Sequence, residues 1–282
     1  MLAHGPSGSG TRRTQLDEDR KIKTPGLAST NVSKLLKSQN PIILPLGISN
    51  VYLIRCEGGY LQVDTGYESN YRGYKKLLSL VGVKLHEIRY LFLTHHHDDH
   101  AGFLNELTSE TDLTIICHEK ARSLLFIGEN DKTSGGGYIN GMIKILAGIK
   151  MRFDPRWTLT FPPFKLREKD IMISADDDQL LRKIGIDGRI LTTPGHCVDH
   201  IAIVLDNGDA FCGDAASSFL LPFGTRYASL FMTNMEDAYR SWQKMLDARA
   251  QMIYPSHGKA FSAEKLRQNM GKYKTKDLVR FF

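Results

Sequence analysis

The sequence predicts an α/β protein in which helices cover mixed β-sheets. Short apolar runs typical of strands occur in two groups along the chain, and stretches with helical spacing alternate with them in both groups. Of the 282 residues, 41% are hydrophobic and 24% are charged, which is the composition of a chain that folds around a core. These observations together indicate sheets that are packed against helices.

The predicted elements follow in a regular order. Apolar runs bounded by turn residues predict strands at 42–46, 51–55, 60–64, 88–94, 113–117, 171–174, 189–193, 201–205, 210–212 and 251–254. Apolar residues at helical spacing predict helices at 74–81, 101–107, 119–126, 138–153, 235–248 and 263–270. Gly82 is a candidate end for the first helix. The pairs Thr233/Glu236 and Asn234/Asp237 have capping-box spacing at the start of the fifth.

Residues 1–40 are expected to form a flexible tail, because 1–30 are rich in small, polar and basic residues and have no hydrophobic periodicity. Residues 41–282 are expected to form one domain with a lid-like insert at about 128–165, where a Gly-rich stretch precedes an amphipathic pattern. Lys144 and Lys150 flank that pattern, so contact with a membrane surface is an alternative to a lid or an oligomer contact.

The composition argues against several classes of protein. No stretch approaches the roughly 18 apolar residues of a membrane span, and the N-terminus lacks the apolar region of a secretory signal. Four scattered cysteines without a CxxC pair make a disulfide scaffold or a thiolate zinc knuckle unexpected, and they fit a reducing, cytoplasmic setting. The net charge of +6 is diffuse, and no nucleic-acid partner is expected.

The main chemical signal is Thr-His-His-His-Asp-Asp-His-Ala-Gly at 94–102, directly after a predicted strand. Alternate side chains point the same way there, so His95 and His97 can share one metal ion while His96 faces elsewhere. Asp99 and His100 lie where the chain turns towards a helix and are directed to a second position. Imidazole and carboxylate ligands suit Zn²⁺ or another borderline divalent metal.

Three further motifs also follow predicted strands: Thr-Pro-Gly-His at 193–196, Cys-Gly-Asp-Ala at 212–215 and Pro-Ser-His-Gly at 255–258. Singly, a His or Asp in such a loop is most often structural. Together with the first motif they supply five His and two Asp, the complement for two divalent ions, with Asp214 able to bridge them. The expected non-ligands are His86, His96 and His118, and the expected small buried residues are Cys197 and Cys212.

These motifs, together with Val-Asp-Thr-Gly at 63–66, resemble in type and order those of the metallo-β-lactamase superfamily over residues 42–270. The resemblance implies a four-layer αββα sandwich of two mixed sheets with helices outside. It implies that one metal is held by His95, His97 and His196, and the other by Asp99, His100 and His257, with Asp214 bridging. It also makes Asp64 the buried acid that accepts a hydrogen bond from a ligand imidazole. An aspartate at the bridging position, here Asp214, resembles the glyoxalase II, lactonase and phosphodiesterase branches of the superfamily.

Two divalent ions about 3.5–4 Å apart lower the pKa of a shared water and so supply a bridging hydroxide as nucleophile at neutral pH. Asp99, which can orient the nucleophile or shuttle a proton, and Asp214 are the candidate catalytic residues. The expected function is a hydrolase that cleaves an ester, lactone or thioester with an apolar moiety. A phosphorus-ester hydrolase, such as a phosphodiesterase, and a metal-bearing binding or signalling protein with little turnover are the alternatives. Zinc is the expected metal, although iron and manganese suit the same ligands.

Aromatic residues indicate where a small-molecule substrate would bind. The candidates for an apolar roof over the metals are Tyr138, Trp157, Phe219, Phe223 and Tyr227. Alternatively, these side chains only pack the insert onto the sandwich. His200 is expected either to line the pocket or to have a structural role, and a homo-oligomer remains open.

Overall fold

The structure is a computed structural model that describes residues 40–131, 135–154 and 158–280. The strands are β1 (Ile42–Leu46), β2 (Ser49–Cys56), β3 (Gly59–Val63), β4 (Ile88–Phe92), β5 (Thr114–His118), β6 (Gly137–Tyr138), β7 (Ile171–Ile173), β8 (Gly188–Thr192), β9 (Ile201–Leu205), β10 (Asp209–Gly213), β11 (Phe231–Met232), β12 (Met252–Pro255) and β13 (Phe261–Ser262). The α-helices are α1 (Tyr71–Leu80), α2 (Asp98–Ala101), α3 (Leu104–Glu110), α4 (Ala121–Ile127), α5 (Gly141–Phe153), α6 (Leu180–Lys183), α7 (Met235–Asp247) and α8 (Glu264–Asn269).

The strands form two mixed sheets and one small pair. The first sheet has the order β1-β2-β3-β4-β5-β7, antiparallel up to β3 and parallel from there. The second has the order β13-β12-β10-β9-β8, in which β10 and β12 are the parallel neighbours. β6 pairs with β11 in a separate antiparallel ribbon.

The two sheets pack face to face because their strands present apolar side chains on both sides. Tyr52 of β2 shares one core cluster with Ile203 of β9, so this cluster lies between the sheets. The next residue, Leu53, points the opposite way into the cluster under α1. On the outer side of the second sheet, Val204 belongs to the same cluster as Trp242 of α7. The predicted four-layer αββα sandwich is therefore confirmed.

The structure adds β6, β11, β13 and α6, each of two to four residues, too short for a periodicity to show in the sequence. The helix predicted at 101–107 is divided into α2 and α3 around Gly102. A Cβ at Gly102 would lie 2.4 Å from the carbonyl oxygen of Asp98 and 2.5 Å from that of Gly66, so two motif loops touch backbone to backbone there. The helix predicted from 235 is capped by Asn234, whose Oδ1 accepts a hydrogen bond from the backbone N–H of Asp237 at 2.9 Å.

Helix α5, within the expected insert, packs on the protein by one side. Ile143 and Ala147 are buried, whereas Met142, Ile145 and Ile149 are 50–59% exposed. The lid and the oligomer contact stay predictions, as does the single domain over 41–282, and the tail lies almost wholly outside the described residues. Within the described ranges, no helix has the length and apolar content needed to span a bilayer.

Helix α7 holds two of the motif loops in place. The Ser241 hydroxyl donates to the carbonyl of Pro194 at 2.7 Å, and the Trp242 indole Nε1–H donates to the carbonyl of Ala215 at 2.6 Å. Trp242 is fully buried, so it combines a large packing contribution with a hydrogen bond next to Asp214.

We predict that Trp242→Phe lowers the free energy of unfolding by about 2 kcal/mol, because it leaves a buried carbonyl without its donor and opens a small cavity. Urea denaturation followed by circular dichroism measures this change. Gln243→Ala, an exposed change in the same helix turn, is the control and should stay within about 0.5 kcal/mol. Equal effects of both changes would contradict the prediction.

Candidate metal centre

The four sequence motifs meet at one edge of the sandwich, because each begins where a strand ends. The motif at 94–102 follows β4, and His196, Asp214 and His257 follow β8, β10 and β12. β8, β10 and β12 run in the same direction, so their carboxyl ends lie at the same edge of the second sheet. The backbone N–H of Ile201 donates to the carbonyl of Thr94 at 2.9 Å and joins the two sheets beside the site.

Three imidazole nitrogens converge at the first position. His97 Nδ1 lies 3.1 Å from His95 Nε2 and 3.0 Å from His196 Nε2, and all three side chains are buried. Burial, together with neighbouring imidazoles, lowers the pKa of His95 and His97 well below the usual value, and burial also lowers the pKa of His196. Neutral imidazoles at neutral pH offer the lone pairs that a divalent metal requires.

The second position combines two imidazoles with carboxylates. His257 Nε2 lies 3.0 Å from Asp99 Oδ2, and His100 Nε2 lies 3.4 Å from Asp99 Oδ1. Burial alone would lower the pKa of both imidazoles. Asp99 and Asp64 nevertheless raise the pKa of His100 to about 9, and Asp214 and Asp99 raise that of His257 to about 10. Burial likewise opposes ionisation of Asp99, but His100 and His257 hold its pKa below the usual range.

Asp214 lies between these two groups. Its Oδ1 is 3.4 Å from His257 Nε2 and 3.8 Å from His100 Nε2, whereas its Oδ2 is 3.7 Å from His196 Nε2. The Oδ1 atom and His100 Nε2 are buried without a hydrogen-bond partner. Such atoms are costly to bury unless something else binds them. The donor set and its two unpartnered atoms therefore fit a divalent metal.

For His196 and His257, the ring nitrogen that points away from the centre makes a hydrogen bond, and this bond determines which nitrogen carries the proton. His196 Nδ1 lies 2.7 Å from the carbonyl of Phe231, and His257 Nδ1 lies 2.9 Å from the carbonyl of Ile48. A carbonyl only accepts, so each Nδ1 must be the donor and, in the neutral ring, the lone pair is on Nε2. The backbone thus orients two ligand candidates before any metal binds.

Asp64 orients two more of the imidazoles. Its Oδ2 accepts hydrogen bonds from His100 Nδ1 at 2.8 Å, Thr94 Oγ1 at 2.8 Å and Ser256 Oγ at 3.1 Å, and its Oδ1 accepts from the backbone N–H of Thr94 at 2.7 Å. Thr94 Oγ1 in turn lies 3.0 Å from His95 Nδ1. The Asp64 carboxylate therefore orients one imidazole of each ligand group, His100 directly and His95 through Thr94. The sequence had predicted a contact with one imidazole.

His96 faces away from the centre. Its Nδ1 donates to Asp199 at 2.9 Å, and its Nε2 accepts from the backbone N–H of Asp131 at 3.2 Å, so neither nitrogen is available to a metal. Cys197 lies nearer than expected, because its Sγ falls within 4.8 Å of the nitrogens of the three-histidine group. Burial and Asp199 raise the pKa of this thiol well above its usual value, which disfavours the thiolate that a metal would bind.

Of the two roles expected for His200, its contacts fit the structural one. His200 is buried, its Nδ1 lies 2.8 Å from Thr193 Oγ1, and its Nε2 accepts the backbone N–H of Asp214 at 3.0 Å. Both nitrogens are used inside the protein, so His200 positions the Asp214 backbone. Gly213 makes this contact possible, since its φ is +51° and a Cβ there would lie 2.8 Å from His200 Nε2.

A cleft of about 540 Å³ with a mixed polar and apolar lining opens next to Asp98 and to Ile48, whose carbonyl accepts the hydrogen bond from His257 Nδ1. Its lining includes Tyr67, Glu68, Asp98, Lys150 and Asp154. Burial and the adjacent Asp99 raise the pKa of Asp98 to about 7, while burial and nearby carboxylates raise the pKa of the Tyr67 phenol, which therefore stays protonated. The cleft is consequently rich in carboxylates and contains a phenolic donor.

A second, apolar cavity of about 100 Å³ lies beside the first metal position. His97 and His196 line it together with Tyr138, so the structure places this predicted pocket residue at a cavity. Trp157, another predicted pocket residue, lies outside the described residues.

The remaining aromatic candidates take other places. Phe219 lies near the site, with its ring centroid 6.4 Å from that of His257. Phe223 is exposed and lines neither cavity. Tyr227 packs against Phe261 at a centroid distance of 4.6 Å, within the core outside the second sheet. This contact fits the alternative in which the side chain of Tyr227 packs on the protein rather than lining a pocket.

Sequence reasoning missed Ser256 and Tyr67. Ser256 precedes His257 in its motif and Tyr67 directly follows Asp-Thr-Gly, so closeness to a motif was the available signal. Whether each residue would face the site could not be deduced, because both lie in loops without periodicity.

The sequence profile of the metallo-β-lactamase superfamily matches residues 44–257, and the chain belongs to this superfamily. It is 25% identical over 220 residues to the "Beta-lactamase-like protein 2 homolog" of Drosophila melanogaster and 26% identical over 232 residues to that of Caenorhabditis elegans. These matches cover 78% and 82% of this chain but only 61% and 62% of those relatives. A "Probable metallo-hydrolase" of Bacillus subtilis (strain 168) is 24% identical over 79% of this chain and 71% of its own.

Solved structures show the same fold. An archaeal metallo-β-lactamase superfamily protein from Sulfolobus tokodaii superposes with a TM-score of 0.56 at 18% identity, covering 83% of this chain and 86% of that one. A metallo-β-lactamase family protein from Thermus thermophilus superposes with a TM-score of 0.53 at 20% identity, covering 82% of this chain and 76% of that one. The architecture is thus shared at low sequence identity.

The pKa shifts predict that the two positions load metal differently. Binding at His100 and His257, whose pKa values are raised to about 9 and about 10, must expel protons at pH 7. The affinity there should rise with pH up to that range, whereas the three-histidine group should load without proton release. Zinc calorimetry in buffers of different ionisation enthalpy counts the protons, and equal release at both positions would contradict this prediction.

A second prediction concerns the carboxylate behind the rings. Asp64→Asn keeps the size and tolerates the φ of +59°, but its amide cannot accept every hydrogen bond that the carboxylate accepts. We expect zinc affinity at the position of His100 to fall by about 10–100-fold, measured by competition with a chelator. The control is Asp170→Asn. Asp170 is buried and accepts hydrogen bonds from the Arg167 guanidinium and from the backbone N–H of Ile115, so its substitution should leave zinc affinity unchanged.

Proposed function

We propose that the protein binds two divalent metal ions, zinc first among the candidates, and hydrolyses an ester, lactone or thioester with an apolar moiety. His95, His97 and His196 would hold one ion, Asp99, His100 and His257 the other, and Asp214 both. The observation that carries this proposal is the pair of unpartnered buried atoms, Oδ1 of Asp214 and Nε2 of His100, set among preoriented imidazoles. Ions bound here would lower the pKa of a water molecule and polarise the bond under attack.

The chain's own residues support hydrolysis in three ways. Asp99, whose pKa is held low by His100 and His257, stays ionised and orients a nucleophile rather than storing a proton. The Tyr67 phenol stays protonated in the cleft and can donate a hydrogen bond to a leaving-group oxygen. Asp214 is held in place at its backbone, where its N–H donates to His200 and its carbonyl accepts from Ser229 at 2.8 Å.

The cavities favour acyl substrates over phosphorus esters. Glu68, Asp98 and Asp154 line the cleft, against Lys150 as a cation. Lys150 is paired with Asp154 at 3.0 Å and the pKa of Asp98 is about 7, so the excess of carboxylate is small, and it favours a neutral ester or lactone over an anionic phosphodiester only away from the bound ions. The small cavity beside His97 and His196 can bind an apolar group next to the reacting bond.

The direct test is a substrate panel on zinc-, iron- and manganese-loaded protein. We expect turnover of aryl esters, lactones or thioesters and little turnover of bis(4-nitrophenyl) phosphate. Turnover of the phosphodiester alone would favour phosphorus-ester chemistry. Tight ligand binding with no turnover of any compound would favour the binding-protein alternative.

A matched pair of variants tests the assignment of Asp214. Asp214→Ala should lose bound metal and activity together, because it removes the carboxylate that lies between both imidazole groups. His96→Ala should keep metal close to two ions per chain, although it lowers the free energy of unfolding by about 3 kcal/mol, since Asp199 loses its buried partner. Elemental analysis with thermal unfolding measures both, and zero metal in wild-type protein prepared without chelators would refute the dinuclear site.

A further inference from the structure

We propose that the apolar cavity beside His97 and His196 is a size-limited pocket for the acyl chain of the substrate, and that Ala147 sets its depth. This inference rests on the proposed hydrolase function and deepens it, because it assigns a short-chain acyl specificity.

The cavity combines a mostly apolar lining, to which Asn130 and Asp131 add polar groups, with a fixed position beside two of the ligand candidates. Ala147 and Met151 of α5, with Leu159 and Leu230, supply apolar walls. Phe231 supplies another wall, and its carbonyl accepts the hydrogen bond from His196 Nδ1 at 2.7 Å. The same backbone therefore orients a ligand candidate and bounds the cavity, so the distance between the pocket and the reacting centre is set by the fold.

The insert separates this cavity from the more polar cleft. Met151 faces the cavity, whereas the preceding Lys150 lines the cleft. Leu159 likewise faces the cavity, whereas Thr158 and Thr160 line the cleft. Residues 150–151 and 158–160 thus present apolar side chains to the cavity and polar side chains to the cleft.

This division assigns the two ends of an ester to the two spaces. A leaving alcohol or thiol has to reach solvent, and the cleft is the larger and more polar exit. The acid product also has to leave, but its apolar chain gains from burial among apolar side chains while the substrate is bound. We therefore place the acyl chain in the cavity and the leaving group in the cleft.

The volume sets the chain length. An engineered apolar cavity of about 150 Å³ binds benzene with its six carbons, so about 100 Å³ corresponds to about four carbons. Each buried methylene raises binding about fourfold. Lengthening the acyl group from acetyl to butanoyl should therefore raise kcat/KM about tenfold, and octanoyl should lose that gain because it no longer fits.

Ala147 is the residue that tests the depth, since it is buried and lines the cavity. Ala147→Leu fills the space and should lower kcat/KM for the butanoyl ester about tenfold while changing the acetyl ester less than about threefold. The matched control is Gly148→Leu, which adds the same side chain one position along the helix, where a Cβ meets open space. It should keep the wild-type profile.

Met151 is half-exposed and lines the cavity, so Met151→Ala enlarges the cavity towards solvent. This change should move the optimum acyl length for kcat/KM to hexanoyl or longer esters. This second variant keeps the test valid if Ala147→Leu fails to fold. The experiment measures 4-nitrophenyl acetate, butanoate, hexanoate and octanoate on the zinc-loaded wild type and on each variant. An optimum that neither cavity variant shifts relative to Gly148→Leu would overturn the pocket, although the hydrolase function would stand.

If the wild type turns over none of these esters, the proposed hydrolase function fails on this substrate class, and a binding measurement decides the pocket separately. Butanoate should then raise the unfolding temperature of the zinc-loaded wild type and of Gly148→Leu more than acetate does, but not that of Ala147→Leu. Equal shifts with acetate and butanoate in all three proteins would overturn the inference.

Discussion

The buried carboxylate of Asp64 is the interaction on which the rest of the site depends. It accepts hydrogen bonds from His100, from Ser256 and from both the side chain and the backbone of Thr94, so donors on all sides offset the cost of burying its charge. The donors belong to the loops after β4 and β12, one from each sheet. A single side chain thus aligns the two edges between which the ligand candidates lie, and through Thr94 it also orients His95.

Around this carboxylate, the two ligand groups differ in their electrostatics. The three-histidine group is a set of neutral imidazoles, since burial disfavours a charge on any of them. The other group pairs its imidazoles with Asp99 and Asp214, which stabilise the imidazolium form when no metal is bound. Asp214 reaches both groups because its backbone is held by His200, a contact that a glycine at 213 permits. The two groups differ in the pKa of their imidazoles because Asp99 and Asp64 lie next to His100, and Asp214 and Asp99 lie next to His257.

The motifs predicted which residues would meet, because parallel strands bring their following loops to one edge. The helix at 141–153 was also predicted, from its amphipathic spacing. Its division of the space beside the metals was not, since which side chains of α5 and 158–160 face the cavity depends on how the insert packs. For the same reason, the sequence left both a pocket role and a structural role open for His200 and Tyr227. Their direction is set by the partners Thr193 and Phe261, which lie 7 and 34 residues away in the chain.

The sequence by itself determined an α/β fold of mixed sheets covered by helices and the set of ligand candidates, because strand periodicity and ligand spacing are local properties that short stretches of chain encode. The four-layer αββα arrangement was implied by the resemblance to the metallo-β-lactamase superfamily. Only the tertiary structure decided which nitrogen of each ring faces the centre, that Cys197 lies beside the three-histidine group, and that α5 and residues 158–160 separate an apolar cavity from a more polar cleft. These features depend on burial and on hydrogen-bond partners that are distant in sequence, such as Ile48 for His257 and Phe231 for His196.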